Sequence, residues 1–405
     1  MDVYRCATHI VAELVKEGYT AYFAGGWVRD YVMNHPSSDI DIATNAPSEK
    51  ILDLFPHTIL VGLAFGVVIV VIEGHQFEVS TFRRDLEYEG GRRPIGIEYS
   101  DDREDALRRD FTINGMFYDP LNKKIIDYVG GMVDIEMEVI RTIGVPDERF
   151  VEDRLRMIRA IRFATRFGFR IDQETQEAIQ ENADTLFPAV AMERVWSEFQ
   201  KMADYPNFDH AMIELHRLGL LPVIFPQLEH VHLNDIKHRV AVYRHFPPNV
   251  SPIFYLLELF PGLDLSEQWE LCQYLKVSNE TTDLVEYLFN LRHSFHRPED
   301  FVWHVHALAN PKSQMCLEVI AARQNPLERM EFLAKQNDFR DEYKTHIERI
   351  VQKKPLVSAS HLMQRGIQPG KQMGSYLKQA EQIAILKKLD DPQHVLEILL
   401  QEKAV

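Results

Sequence analysis

The sequence predicts an α+β chain, a small mixed-sheet head followed by a long all-α remainder. Three observations point to it. From Tyr19 to about Tyr128 short β-like runs alternate with helical ones. After roughly Glu148 a helical period dominates and strand signals nearly vanish. At 405 residues the chain exceeds one ordinary core, so roughly two to four structural units are expected.

Taken in order, "AYFAG" (Ala21–Gly25) and "SDIDIA" (Ser38–Ala43) read as strands separated by a helix over "WVRDYVM" (Trp27–Met33). "PSEKILDLF" from Pro47 reads as a proline-started helix. In "VVIVVIEGHQFEVSTF" two β-branched runs meet at Glu73 and Gly74, as in a hairpin. Beyond Glu148 come the Arg-rich run from Arg154 to Arg170, then "DQETQEAIQENADTLF", "AMERVWSEFQKM", "FDHAMIELHRLGLL" and, near the carboxyl end, "HVLEILLQEKA", all helical in period. "FPPNVSP" and "FPGLDL" mark loops between helices.

Composition bounds the setting. No stretch reaches the roughly 18 uninterrupted apolar residues of a membrane span, and the amino terminus, with Asp2, Arg5 and Glu13, lacks a secretory core, so a soluble, cytoplasmic protein is expected. Cys6, Cys272 and Cys316 form neither a disulfide framework nor a zinc spacing. A net charge of −16 argues against nucleic acid as a partner, yet Arg154–Arg170 carries six arginines and no acid. That run is either a solvated, ion-paired helix or an RNA-facing one.

The chemistry concentrates between Gly25 and Asp41. On a strand Asp39 and Asp41 project to one face, their Cα atoms about 6.5 to 7 Å apart. Two acceptor-only carboxylates so placed repel each other unless they share hard cations such as Mg²⁺. Gly25 and Gly26 follow a strand and open a helix, where backbone N–H groups can meet a phosphate, with Arg29 one turn on. Glu78 alternates with Phe77 and Val79 and either completes the metal site or faces solvent. His230, His232, His238 and His245 lack the His-Asp dipeptide of a phosphohydrolase site and read as surface or packing histidines, and "FVWHVHALA" as helix core.

The motifs "GGWVRD", "SDIDIAT", "FEVSTFRRD", "RRDFTINGMFYDP", "IIDYVGG" and "EDRLRMIRAIRFATRFGF" resemble, in order and spacing, the class II tRNA nucleotidyltransferase and bacterial poly(A) polymerase family, a branch of the polymerase β superfamily. The dense match covers about residues 20 to 200, and "LMQRGIQPGKQMGSYL" is similar to the family's tail motif. The resemblance implies a nucleotidyltransferase head over 1–148, a helical neck for nucleotide selection over 149–205, a helical body over 206–275 and a tRNA-binding tail over 276–405. It implies that Asp39 and Asp41, with Glu78, are catalytic, and that Gly25, Gly26, Arg29 and Asp30 shape a triphosphate pocket.

It also assigns base selection to Asp153 and Arg156, which at a spacing of three would share a helix face. Cytosine and adenine each offer an amine beside a ring-nitrogen acceptor, which a carboxylate and a guanidinium match; uracil and guanine reverse the order. Each mispaired polar group costs about 1 to 3 kcal/mol. The ordinary alternative is a surface pair between Glu152 and Arg156. Arg159 and Arg162 of the same run join the nucleotide-binding set, as do Arg109, Asp110 and Asn114, which resemble the ribose-recognising segment; Asp110 is equally placed to cap a helix. Gly115 stands where the family more often has alanine, a small change on this view. "RRDLEYEGGRRP" (Arg83 to Pro94) looks like the family's flexible loop, with Gly90 and Gly91 supplying mobility; members adding only the two cytidines are shortened there.

The function so implied is Mg²⁺-dependent addition or repair of the 3′-terminal CCA of tRNA from CTP and ATP, with release of pyrophosphate. The alternatives are a poly(A) polymerase, an enzyme adding only the final A and, more remotely, a non-catalytic RNA-binding protein.

Overall fold

A computed structural model describes residues 2–35, 37–62, 66–85, 88–89, 93–94, 97–295 and 301–401. The chain divides into two units, Met1–Lys237 and His238–Val405. The first begins with α1 (Val3–Lys16), β1 (Ala21–Ala24), α2 (Gly26–Val32), β2 (Asp41–Thr44), α3 (Ser48–Leu54), β3 (Thr58–Gly62), β4 (Val67–Ile72) and β5 (His75–Thr81). It continues with β6 (Arg83–Asp85), β7 (Tyr88–Glu89), β8 (Arg93–Pro94), β9 (Ile97–Tyr99), α4 (Asp102–Leu107), β10 (Phe117–Asp119), β11 (Lys124–Ile126), α5 (Gly131–Glu136) and β12 (Val139–Ile140). Then follow α6 (Pro146–Glu152), α7 (Leu155–Phe167), β13 (Arg170–Ile171), α8 (Gln173–Asn182), α9 (Leu186–Ala189), α10 (Met192–Ala203), α11 (Phe208–Arg217) and α12 (Leu220–Ile224).

The period-two runs of the head build one seven-stranded sheet in the order β11-β10-β1-β2-β5-β4-β3. It is mixed because β2 and β5 run parallel while the other pairs are antiparallel. One face carries Phe23, Ile42, Val68, Val70, Phe77 and Val79 against Ile10 and Leu14 of α1, Val28 of α2 and Ile51 of α3. The other carries Ala24, Ala43, Phe82 and Phe117 under Ala106 of α4. Burying each large side chain contributes about 1.5 to 3 kcal/mol. A one-residue slip of β2 would drive Asp41 into the larger core and expose Ile42, so the register that aims Asp41 outward is held by hydrophobic burial.

The Glu73–Gly74 hairpin is present: both residues take positive φ, 50° and 81°, and Ile72 pairs with His75, the geometry of a two-residue primed turn. Local details differ from the sequence reading. β2 starts at Asp41, not Ser38, and Pro47 lies just outside α3 as its N-cap. The segment from Arg83 to Pro94, which resembles the family's flexible loop, takes part in short antiparallel ladders, β6 with β9 and β7 with β8; Gly90 and Gly91 lie outside the described residues. A parallel pair, β12 with β13, joins Val139 to Arg170 and Ile140 to Ile171 where strand signals had been expected to fade. Neither strand exceeds two residues, too short to leave a period in the sequence.

The second unit is helical among the described residues, including Asn279–Ser294, Phe301–Leu308, Pro326–Glu342, Lys344–Val351, Lys371–Leu386 and Pro392–Gln401. The tail-like motif breaks at Gly366, where φ is +84°, and re-enters a helix at Lys371, whose Ala380, Ile383 and Ala384 bury against Leu362, Val395 and Leu399. No helix among the described residues is long and apolar enough to cross a membrane. His304 is buried, hydrogen-bonded to Ser294 at 3.0 Å and Gln336 at 3.1 Å, which agrees with the helix-core expectation.

Burial lowers the pKa of His304 against the hydrogen bond its Nε2 donates to Gln336 Oε1, and that of His346, with Arg349 adding to the effect and Glu381 and Asp390 opposing it. The folded unit therefore prefers both rings neutral, while the unfolded chain takes up protons near pH 6.5. Their contribution to stability is complete above about pH 6.5 and declines as pH falls toward the folded values, by at most roughly 1.4 kcal/mol per pH unit for each ring. Thermal melts of the full chain between pH 7.5 and 5 should lose stability in this direction, and His304→Gln should flatten the dependence. A melting temperature rising on acidification would contradict it.

Candidate active site

β1 delivers the chain to Gly25, whose φ of +67° and ψ of −129° suit a residue without Cβ. A Cβ there would also stand 3.0 Å from Nη1 of Arg109. The Gly25 amide donates to the Met116 carbonyl at 3.4 Å, which ties the turn to the segment before β10. α2 starts at Gly26, so its first-turn amides, which have no intrahelical acceptor, open onto the pocket that Gly25 and Gly26 line. Gly25→Ala should cost about 1 to 2 kcal/mol in backbone strain and displace Arg109. The expected result is a lower melting temperature, read by thermal denaturation.

Asp39, Ile40, Asp41 and Ile42 alternate exposed, buried, exposed, buried, so both carboxylates leave the sheet on one side although only Asp41 belongs to β2. Glu78, exposed on β5 between buried Phe77 and Val79, follows the same alternation one strand away. Asp41 is crowded by protein yet open to the pocket. Desolvation, then the like charges of Glu78 and Asp39, against the pull of Arg109, lift its pKa to about 7. Three oxygen-only side chains repelling one another suit a hard cation. Among the described residues no three His, Cys, Asp or Glu side chains converge into a preformed cage.

The pocket, about 410 Å³, is lined by Gly25, Gly26, Arg29, Asp41, Arg108, Arg109, Asp110, Asn114, Asp153, Arg156, Arg159 and Phe163; Asp39 and Glu78 do not line it. Two other cavities of about 450 and 490 Å³ lack such converging charge. Arg29 is buried, pinned to Asp30 Oδ1 by Nε (2.8 Å) and Nη2 (2.7 Å) and to Asn114 Oδ1 by Nη1 (2.7 Å), and it stacks 4.7 Å over Phe167. Asn114 donates onward to Asp110 at 3.0 Å. Asp110 also accepts from the Phe111 amide and from Nε (2.9 Å) and Nη2 of Arg159. Burial alone would raise the Asp110 carboxyl, but Arg159, Asn114 and Arg156 outweigh it and hold it well below the usual range. Arg109 rests on buried Asp105 (3.0 Å), which also takes Arg108 (2.7 Å).

Several expectations are corrected by this geometry. Asp153 does not share a helix face with Arg156: it terminates α6 in an extended conformation and α7 begins at Leu155, although both residues line the pocket. Arg156 does pair with Glu152 (2.7 Å), as the ordinary alternative supposed, but inside the protein, where it also reaches the Arg149 carbonyl (3.0 Å). Asp110 caps no helix, and its four acceptor positions are taken by the four donors just named. Asp30 and Arg162 do not line the pocket; Asp30 neutralises Arg29 and, at 3.6 Å, Arg166, while Arg162 donates to buried Glu198 at 2.6 Å. At Gly115 an added Cβ would lie 2.8 Å from both Ile143 Cδ1 and Val129 Cγ2, so the neighbours are packed to the glycine, and this leaves the expected role of the segment as it was. His230, His232, His238 and His245 are all exposed, in keeping with their reading as surface residues.

Residues missed at the sequence level are Arg108 and Phe163 in the lining, Asp105 beneath the arginines, and Arg149, Arg194 and Glu198 behind them. The spacing of Asp105 to Arg108 and Arg109, three and four residues, was a usable signal. Arg194 lies 41 residues from Asp153, and Glu198 lies 36 from Arg162; no local pattern links them.

The chain matches the Poly A polymerase head domain over residues 21–141 and the family described as "Probable RNA and SrmB-binding site of polymerase A" over 168–231. It is 42% identical over 247 residues to the CCA-adding enzyme of Bacillus licheniformis, covering 61% of this chain and 60% of that protein. It is 39% identical over 237 residues to the CCA-adding enzyme of Staphylococcus aureus, 58% of each. These aligned stretches span 60% or less of the relatives' own length. Among solved structures it resembles the Bacillus stearothermophilus CCA-adding enzyme in complex with CTP, with a TM-score of 0.80 and 26% identity over 100% of this chain and 98% of that one.

Proposed function

We propose that this chain is a member of the class II tRNA nucleotidyltransferase and bacterial poly(A) polymerase family, whose members generally use a divalent metal, and that it adds or repairs the 3′-terminal CCA of tRNA from CTP and ATP. The observation that supports this best is one pocket that Asp41, crowded by the like charges of Glu78 and Asp39, lines together with the Asp153-Arg156 pair and the basic side chains of Arg29, Arg108, Arg109 and Arg159. A nucleoside triphosphate has the complementary layout: a polyanion that needs cations and a base that needs a donor-acceptor pair.

Asp39 and Asp41, with Glu78 beside them, would hold Mg²⁺. The ion would supply charge neutralisation of the triphosphate and activation of the attacking 3′-hydroxyl. Arg109 and Arg159 set a positive field along the triphosphate, and the first-turn amides of α2 point to its oxygens. Arg29, locked by Asp30 and Asn114, stiffens that wall. Asp110, with its acceptors filled, positions Arg159 and Asn114 and leaves recognition of the sugar to neighbouring donors. Asp153 accepts the exocyclic amine of cytosine or adenine while Arg156 donates to the ring nitrogen. The tRNA 3′-oxygen then bonds to the α-phosphorus, and pyrophosphate leaves. The helical regions hold the tRNA through phosphate contacts, and the buried free cysteines suit a reducing cytoplasm.

Purified protein offered each nucleotide with tRNA lacking CCA, tRNA ending in CC, and oligoadenylate is the test. Completion of CCA on the first and A on the second is expected. Long A tracts on the oligomer would assign a poly(A) polymerase, incorporation on CC-ended tRNA alone an A-adding enzyme, and no incorporation a binding protein.

A further inference from the structure

The side chain proposed to read the base amine is held by a residue from a different helix. Asp153 sits in the break between α6 and α7, half-buried, at the pocket wall. Its Oδ1 accepts from the Leu155 amide at 3.1 Å and from Nη1 of Arg194 at 3.2 Å; its Oδ2 accepts from Nη2 of Arg194 at 2.8 Å. A carboxylate offers about four acceptor positions. Three are filled by protein, which leaves one, on Oδ2. Arg156 on the neighbouring turn spends guanidinium hydrogens on Glu152 and on the Arg149 and Arg108 carbonyls and retains others of its five.

We infer that Arg194 of α10 is a specificity-determining positioning residue: by gripping both oxygens of Asp153 it leaves one acceptor and no donor facing the base. The inference rests on the proposed nucleotidyl transfer. A fork-shaped guanidinium fixes the plane of the carboxylate as well as its position, which a point charge cannot. With the plane fixed, a base presenting an amine is accepted and one presenting a carbonyl meets a lone pair. Released from Arg194, the carboxylate can turn away from the base edge, which loses both its bond to an amine and its repulsion of a carbonyl, so the two edges are no longer distinguished there. The same helix carries Glu198 one turn on, which holds Arg162 away from the pocket, so general loosening of α10 can be separated from loss of the grip on Asp153.

The full chain is compared as wild type, Arg194→Gln, Arg194→Lys and Glu198→Gln, measuring kcat/KM for CTP and UTP on tRNA lacking CCA and for ATP and GTP on tRNA ending in CC. Arg194→Gln should lower the CTP-over-UTP and ATP-over-GTP ratios roughly tenfold or more, and Arg194→Lys should fall between it and wild type. Glu198→Gln should reduce all four nucleotides in parallel with the ratios kept. Ratios unchanged in Arg194→Gln, with all rates falling together, would reduce Arg194 to a structural role and overturn the inference. Should that variant fail to fold by circular dichroism, an unchanged ratio in Arg194→Lys does the same. A wild-type protein incorporating neither CTP nor ATP would instead remove the proposed function, and this inference with it.

Discussion

Asp41→Asn is expected to lower nucleotide incorporation by at least about 10³-fold, about 4 kcal/mol of transition-state stabilisation. The substitution keeps the shape of the side chain and removes one charge from a group that Glu78 and Asp39 already crowd. For that reason its effect on stability has the opposite sign: relieving like-charge repulsion on the outward face of β2 should leave the melting temperature equal or higher, while Ile42 beneath keeps the strand in register. Loss of activity without loss of stability is the behaviour of a residue kept for chemistry rather than for folding. The measurement is steady-state addition of CMP to tRNA lacking CCA, with calorimetry on the same samples. Adding Mg²⁺ after chelation should restore the wild type and leave the variant inactive. Glu78→Gln should cost less, about ten- to a hundredfold, because it stands beside the pair rather than within it. Incorporation by Asp41→Asn within threefold of wild type would move the chemistry elsewhere.

The features legible in the sequence are those written in short periods. Asp39 and Asp41 show their common side through a spacing of two, the Glu73–Gly74 turn through its residue types, and the Gly25–Gly26 turn through its place between a strand and a helix. What was not legible depends on which charge meets which across distance. Arg159 and Arg162 are three residues apart on α7 and look equivalent as letters. One turns to Asp110 and the pocket, the other to Glu198 of α10, because buried carboxylates happen to lie on those two sides. Asp30 reads like a pocket acid and is consumed by Arg29. Asp153 and Arg156 read as one helix face, and the break that separates them is made by the chain itself, with the Asp153 side chain bonding the Leu155 amide two residues on. Side chains of this kind compete locally with helix continuation, an effect that a periodic count does not register.

Glu198→Ala should destabilise the first unit by about 3 to 5 kcal/mol. Glu198 and Arg162 are both almost completely buried, and Lys201 at 3.1 Å is the other cation on the carboxylate. Desolvation already lowers the pKa of Arg162 against the pull of Glu198, with Arg159 adding to the cost. Removing the acid therefore leaves a guanidinium 4.1 Å over the Phe163 ring without its carboxylate partner, with only the more weakly acting Asp110 to compensate its burial. Replacing both partners with methionine, so that no charge is buried, should recover most of the loss or exceed wild-type stability, since desolvating an ion pair offsets much of its attraction. The urea midpoint followed by tryptophan fluorescence measures this, Trp196 on α10 being a buried reporter two residues away. Activity need not follow stability: the double variant keeps α7 packed and leaves Arg159 on Asp110, so it should add nucleotides at rates near wild type while Glu198→Ala does not. A single variant as stable as wild type would mean that water reaches Arg162 and that the pair is not the strut joining α7 to α10.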